Sequence, residues 1–579
     1  MNISDIVSND IFMDEGDVWR LRGHENFGYS DGRASEIHLD KVFRSAKDLS
    51  STSSELEDHI VDWASEYHLT RKRAQLLSGF KFDPEMTVLE VGCGCGSITR
   101  LLGERFGRVI SVEGNIHRAR LARLRTRDLD NVTVICAPFE EIVFAEKFDA
   151  IACIGVFEYS GSFVKAEDPY RTVLQYFSDM LLDDGVLILA IENQFGLKYF
   201  NAADEDHWGT PYVGIEGYHK RPNSVRTFGR SELGRLLSER FTETRYFYPY
   251  PDYKLPDVVI AEDFLRSGEA GEMVSQVRSR DYTGRRPGNF DEPAAVLELA
   301  RNDLLAPLAN SFLVIAGKDA VRGVSFDQEA VAYSSGRSEP FSTQTRIRRD
   351  AGNKLSVHKT LRNGSPVASN GLLELANCSS SWADGLSLQT LLISRSSSGS
   401  TEVAKLVEPA RAWAAAMTAE AKDRDGRMML SGEHIDSVWG NFYPEANPPA
   451  FIDREWVWKE DIPLNALAIR AVYNFLVRLE DASPGAGILK RASGQTLIRE
   501  ICSALGMEPE DRDIDDFVTL ETRFQEMAYG LDPARYGKYL RWYLAHRPSL
   551  KAARGLKTLA HRVHASLTAR FSLFRHASG

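Results

Sequence analysis

Cysteine is scarce: six residues (Cys93, Cys95, Cys136, Cys153, Cys378 and Cys502) are scattered over 579 positions, none in a CxxC pair. That excludes a disulfide framework and points to a reducing compartment. No apolar run approaches the roughly 18 residues that cross a bilayer. The opening MNISDIVSND carries acids where a signal peptide carries lysine or arginine, so a cytoplasmic chain is expected. Basic residues are outnumbered 70 to 82, a formal charge of -12, which disfavours a nucleic-acid partner. Acid is in turn missing from the end. After Asp532 only basic charges follow, from Arg535 to Arg575. The length predicts two or three domains, and 43% apolar with 26% charged residues is ordinary for a soluble globular protein.

Apolar residues at helical spacing run from 56 to 79, and Pro84 closes that stretch. Strand-like and helix-like runs then alternate: TVLEVG (87–92), RVISVEG (108–114), NVTVICA (131–137), FDAIACIGV (148–156) and GVLILAIEN (185–193) are each followed by helical or irregular sequence. Two later strands, near 244–249 and 311–317, close the set. Such alternation predicts an α/β fold, a doubly wound parallel sheet with its ligand at the carboxyl ends of the strands. The expected division is an extension over 1–59, the α/β domain over 60–318 with an insertion at about 194–310, a second domain over 325–484, and a helical region from 485 to 579.

VLEVGCGCG puts Gly92, Gly94 and Gly96 directly after the first strand. A dinucleotide turn is GxGxxG, with a pyrophosphate on the helix amino terminus. GxGxG preceded by Glu90 suits instead a ligand with an amino-acid end, whose ammonium Glu90 can accept from. Glu113, at the end of the second strand, is placed to bind ribose hydroxyls. In CAPFEEI, Phe139 either lies against an adenine or is a core aromatic, and Glu140 can accept from the adenine amino group. Cys93 and Cys95 lack partners for a metal set, and no metal is expected in this domain.

On these motifs, residues 60 to 318 resemble a class I S-adenosylmethionine (SAM)-dependent methyltransferase, which implies a Rossmann-like sheet and SAM as cofactor. Pro138 stands where that family often has an acid, which shifts the adenine contact to Glu140 and backbone groups. GVFEYSG is not an NPPY-type turn, so the resemblance is to the O-methyl or C-methyl branch acting on small molecules.

After the fifth strand, IENQFGLKYFNAADEDHWGTPYVGIEGYHKR is polar and aromatic, as acceptor loops are. Methyl transfer is an in-line displacement that needs alignment and, for a hydroxyl, a base. Asp206 and His207 are the expected orienting acid and base, and Asn193 and Gln194 the expected acceptor-binding pair. FYPYPDYKLPD (247–257) offers Tyr250 and Tyr253 for carbohydrate stacking, or a stiff seal on the sheet edge. The segments IENQFGLKYF, EDH and YPDYKLP resemble methyltransferases of bacterial surface-polysaccharide synthesis. That implies a sugar or glycolipid acceptor and a glycosyltransferase partner.

In GEHIDSVWGNFYPEANPPAFID, Asp436, Asn441 and Asp453 follow the order in which phosphotransferases place a catalytic Asp and two Mg²⁺ ligands. TQTRIRRDAGNKLSVHKTLRNG reads as a hairpin carrying Lys359. The stretch resembles an α+β kinase-like, aminoglycoside-phosphotransferase-like domain, which implies ATP and Mg²⁺. It departs in its HID triplet, in lacking a glycine-rich phosphate loop and in leaving little room for a helix to pair with Lys359. A degenerate binding role is the alternative. The basic tail, RPSLKAARGLKTLAHRVHASLTARFSLFRHASG, is expected either as a helix lying peripherally on the inner membrane face or as one packed on the preceding domain. The leading expectation is a SAM-dependent methyltransferase acting on a sugar or glycolipid. Its rivals are a bifunctional methyltransferase/phosphotransferase and a non-catalytic SAM-binding scaffold.

Overall fold

Runs of apolar residues too short for helices and flanked by turns become sheet here, and the longest of them are buried on both faces. The computed structural model describes residues 3–24, 27–219, 224–283, 288–397, 402–482, 486–490 and 493–546. Two compact units form. The first is Met1–Arg266, Ser279–Asn289 and Asp303–Asp327, and the second is Ser267–Arg278, Phe290–Asn302 and Gln328–Gly579.

The first unit's main sheet uses β1 (Ile11–Met13), β2 (Trp19–Leu21), β3 (Thr87–Val91), β4 (Arg108–Glu113), β5 (Val132–Cys136), β6 (Phe148–Ile154), β7 (Leu181–Glu192), β8 (Glu243–Tyr250), β9 (Val258–Ala261) and β10 (Ser311–Gly317). Its order is β1-β2-β5-β4-β3-β6-β7-β10-β8-β9. From β2 to β7 neighbours are parallel. β10 inserts antiparallel to both β7 and β8. Strands step outward from β3 to β4 and β5 on one side and from β6 to β7 on the other. The order therefore reverses between β3 and β6, where a crevice opens at the carboxyl ends.

Three expectations meet a different outcome. The helical pattern over 56–79 is broken into Ser54–Glu57, Trp63–Leu69 and Lys72–Ser78. Asp62 accepts from Ser65 N at 2.8 Å while Ser65 Oγ accepts from Asp62 N at 2.9 Å, a reciprocal cap that starts a new helix, and Thr70 is extended. Residues 1–59, read as an extension, supply β1, β2 and the helix Arg33–Ser45, whose Leu39, Val42 and Phe43 share a core with Cys95 and Leu121. The insertion is also divided, because Ser267–Arg278 and Phe290–Asn302 fold with the second unit.

In the second unit Ala330–Tyr333, Thr343–Arg349, Leu355–Leu361 and Cys378–Ser381 pair antiparallel in that order. The expected hairpin turns where Asp350 Oδ1 accepts from Gly352 N (2.8 Å) and Lys354 N (2.9 Å). A hairpin of Val367–Ser369 and Leu373–Ala376 occupies the short link after Lys359, and it pairs with Trp456–Trp458. The helices Leu388–Ser397, Arg411–Glu420, Leu464–Ala482, Gly494–Ala504, Asp511–Tyr529 and Pro533–His546 close on a core containing Trp413, Trp439 and Trp456. Leu464–Ala482 is buried nearly all round, which explains its apolar composition. No helix among the described residues is long and apolar enough to cross a membrane. The basic tail from Arg547 onward lies outside the described residues.

Candidate active site

β3 delivers the chain into the glycine turn, and the turn is tied to the next strand: Gly92 N and Cys93 N both donate to Val112 O, at 2.8 and 3.0 Å. Gly96 has φ +86°, and a Cβ there would lie 2.7 Å from Ala122 Cα, so the absent side chain lets two helices approach. Replacing Gly96 with alanine is expected to lower stability by roughly 3 kcal/mol through left-handed strain and overpacking. A denaturant midpoint unchanged from wild type would remove that packing argument.

Two carboxylates flank the turn. Glu113 accepts from Gly94 N at 2.8 Å and from Asn115 N at 3.0 Å, which fixes both oxygens and leaves each a lone pair toward the cavity. Glu90 is buried and accepts from Ser111 Oγ at 2.7 Å; burial pushes its carboxyl up to about 7. Both line a cavity of about 360 Å³ together with Gly92, Gly94, Phe139 and Glu140. Gly96 packs behind it. The Phe139 ring lies 5.7 Å from Tyr176 and 6.0 Å from Phe177, and it also lines the cavity. Glu140 is half-buried with Oε2 unpartnered, and burial raises its carboxyl.

Sequence reasoning missed the segment that covers this end. Phe27, Tyr29 and Asp31 line the cavity from the amino-terminal region. Asp31 is pinned by His68 Nε2 at 2.9 Å and Arg118 at 3.4 Å; burial would raise its carboxyl, but these two partners hold it at about 2. Arg118 also lies over the Tyr29 ring at 4.7 Å. The available signal was aromatic and glycine-rich sequence in NFGYSDGR, without a period to place it.

At the far end the cavity is polar. Glu158 follows β6, Glu192 ends β7, and Asp206, His207, Tyr253 and Lys254 come from the loops. Lys254 Nζ lies 2.6 Å from Glu192 Oε1, and Tyr253 Oη donates to the same oxygen at 3.2 Å. Asp206 pairs with Lys198 Nζ at 2.8 Å and with Lys254, which overcome burial and hold its carboxyl well below the usual range. His207 bonds Glu205 Oε1 through Nδ1 at 3.1 Å; its Nε2 faces Glu158 and Glu192 at 3.8 and 3.9 Å. Burial pulls the imidazole down, but the three carboxylates outweigh it and raise it well above its ordinary value. An imidazolium has no lone pair to accept a proton, so the expected role of His207 as general base does not follow from this arrangement.

Asn193 and Gln194 are not brought to the cavity. Asn193 Nδ2 donates to Pro307 O (2.8 Å) and Ala309 O (2.7 Å), and Gln194 Nε2 donates to Gly214 O (2.8 Å). Both are buried locks on loop geometry rather than acceptor ligands. Tyr250 is likewise buried away from the cavity, whereas Tyr253 lines it. The polar residues that do face inward, Glu158, Glu192 and Lys254, lie within GVFEYSG, IENQFGLKYF and YPDYKLP, where nothing local singles them out from their neighbours.

In the second unit Lys359 contacts Asp453 and lies 3.1 Å from Glu455, which also binds Arg337 at 2.5 Å. Burial raises the Asp453 carboxyl and Lys359 pulls it back. Asn441 Nδ2 donates to the Asp436 backbone oxygen at 2.6 Å, and the Asp436 carboxylate pairs with Arg470 at 3.1 Å. Lys359 and Asp453 line one small cleft with Val357, Ser381 and Tyr443; Asp436 and Asn441 do not line it.

Residues 88–185 match the methyltransferase domain family model. A malonyl-[acyl-carrier protein] O-methyltransferase of Priestia megaterium is 31% identical over 90 residues, 15% of this chain and 32% of that protein. N-methyltransferase 4 of Papaver somniferum is 25% identical over 159 residues, 26% and 41% of the two chains. The chain thus spans less than half the length of these relatives. Among solved structures, YcgJ of Bacillus subtilis is similar at 15% identity and TM-score 0.24, over 43% of this chain and 98% of that one. N-methyltransferase NodS of Bradyrhizobium japonicum with S-adenosyl-L-homocysteine is similar at 16% identity and TM-score 0.23, over 36% and 88%. Over residues 88–185, with the glycine turn and strands β4, β5 and β6 inside the match, the chain carries a methyltransferase domain.

Proposed function

We propose that this protein transfers a methyl group from SAM to an oxygen of a sugar or glycolipid acceptor. The observation that carries the reading is the pair Glu90 and Glu113 on either side of the glycine turn, in one cavity that runs on to the polar end at Glu158, Glu192 and His207. The fit to the cofactor rests on Glu90: a buried carboxyl raised by desolvation lacks the cation that a ligand ammonium would bring. Bound there, SAM supplies an electrophilic methyl group on a cationic sulfur. Glu113 would hold the ribose hydroxyls, Phe139 and Glu140 the adenine. At the other end Lys254 and protonated His207 donate hydrogen bonds that orient an acceptor, and Trp63, Tyr67 and Tyr282 wall it in aromatically, as suits a sugar. Glu158, whose carboxyl is raised by burial and by Glu192, is the better candidate to take a hydroxyl proton. Labelled-methyl transfer to a glycolipid or polysaccharide extract tests the acceptor class, and incorporation confined to protein or amine fractions would overturn it.

A titration follows from Glu90. Below about pH 7 the ammonium must displace a proton from its carboxyl, and above that the carboxyl is already ionised. Affinity for adenosylhomocysteine is therefore expected to rise up to tenfold per pH unit between about 5.5 and 7, with proton release, and then level off. Calorimetry in two buffers of different ionisation heat measures this, and Glu90→Gln should flatten the profile.

The pairing of Lys359 with Asp453 in one cleft favours a second reading, in which the second unit binds ATP with Mg²⁺ and phosphorylates the same acceptor. Nucleotide binding by the full chain, lost in Lys359→Met, is its test. A glycosyltransferase partner and peripheral membrane contact through the basic tail would suit a glycolipid acceptor.

A further inference from the structure

We infer that Glu158, Glu192 and His207 form a binding site for a divalent cation of the manganese or zinc type at the acceptor end of the cavity. One donor atom from each lies within 4.8 Å of the other two, although the residues are far apart in sequence. Glu192 ends β7, and Glu158 lies in the short helical turn Phe157–Tyr159 that follows the adjacent parallel strand β6, so the sheet brings the two segments side by side.

Four observations converge. First, Glu158 Oε2 and Glu192 Oε2 have no hydrogen-bond donor, although each residue is only 1% exposed and faces the cavity. Burying a carboxylate oxygen with no partner is costly, and a cation repays it. Second, His207 Nε2 sits almost midway between the two carboxylates, at 3.8 and 3.9 Å. Both separations exceed a hydrogen bond, and they approach the spacing of ligands that share one ion with bonds of about 2.1 Å. Third, the ring is aimed by an outer carboxylate: Nδ1 bonds Glu205, which itself accepts from His207 N (2.8 Å), Trp208 N (3.0 Å) and Tyr218 Oη (3.2 Å). Such a carboxylate–histidine pair is how metal-binding imidazoles are oriented. Fourth, the charges do not cancel. Glu158, Glu192, Glu205 and Asp206 face Lys198, Lys254 and the His207 imidazolium, and a divalent ion that displaces the Nε2 proton brings the sum to zero.

Two carboxylates with one imidazole suit Mn²⁺ or Zn²⁺ better than an all-oxygen calcium site. Three protein ligands leave positions open toward the cavity, where an acceptor oxygen could bind and be polarised. That catalytic role rests on the methyl-transfer reading, whereas the binding does not.

The test uses the full-length protein, stripped with chelator and titrated with MnCl₂ or ZnCl₂ alone, read by Mn²⁺ electron paramagnetic resonance and by elemental analysis after gel filtration. About one equivalent is expected to bind. The isosteric double variant E158Q/E192Q should lose about 100-fold or more in affinity while adenosylhomocysteine still binds, which also shows that the variant folds. Absence of either metal from the wild-type protein at millimolar concentration would overturn the site, as would unchanged uptake by the double variant. Metal uptake without adenosylhomocysteine binding would uphold the site and sink only the methyl-donor reading.

Discussion

Glu113→Ala is expected to weaken adenosylhomocysteine binding by two to three orders of magnitude. The carboxylate does two things at once. It accepts from Gly94 N and Asn115 N, which shapes the turn, and it offers its remaining lone pairs to ligand hydroxyls. Each charge-assisted hydrogen bond contributes about 1.5–3 kcal/mol, and two lost to the ribose give roughly 3–5 kcal/mol before any loosening of the turn. Glu113→Gln keeps one acceptor oxygen and should fall between the two. Calorimetry with adenosylhomocysteine measures the series, with NADH as the competing ligand class. Equal affinity in wild type and Glu113→Ala would mean the ribose lies elsewhere, and heat with NADH alone would replace the methyl donor with a dinucleotide.

The second large effect is on stability. Glu455→Ala should destabilise the second unit by about 3–5 kcal/mol. Glu455 and Arg337 are both fully buried, and Lys359 is 1% exposed, so removing the shared carboxylate takes the Glu455 counter-charge from Arg337 out of water and leaves Lys359 with Asp453 as its carboxylate partner. Arg337 also lies 4.5 Å from the Trp456 ring, and Trp456 packs in the unit's core, so the damage should reach the tryptophan fluorescence. Replacing Arg337 with leucine alongside Glu455→Ala should recover part of the loss, because an apolar pair carries no desolvation penalty. A Glu455→Ala unfolding midpoint within experimental error of wild type would show the network to be dispensable. The same residue bears on the phosphotransfer reading. Where the sequence left no room for a helix to supply a partner for Lys359, Glu455, two residues past Asp453, takes that place.

Features written within about ten residues were legible before any coordinates. The run of buried strands, the hairpin around Asp350 and the tight turn over Gly92–Gly96 each follow from a local period or from a backbone angle few residues adopt. Glu90 and Glu113 were legible for the same reason, since a strand end fixes where its last side chains emerge. The acceptor end was not. Asn193 and Glu192 are neighbours, but successive residues at a strand end point to opposite faces. Only the pairing of β7 with β10, which sets Ser311 opposite Glu192, decides that Glu192 enters the cavity while Asn193 is bonded to Pro307 and Ala309 more than a hundred residues away. Likewise Asp31, His68 and Arg118 meet over the glycine turn, and Glu158, Glu192 and His207 meet beyond it, through contacts between segments remote in the chain. By itself the sequence determined which segments become strands and that the first turn must be glycine, because hydrophobic periodicity and backbone sterics act locally. Which charges face one another was decided by the tertiary structure alone, because burial and Coulomb attraction depend on distances that exist only after the loops have closed.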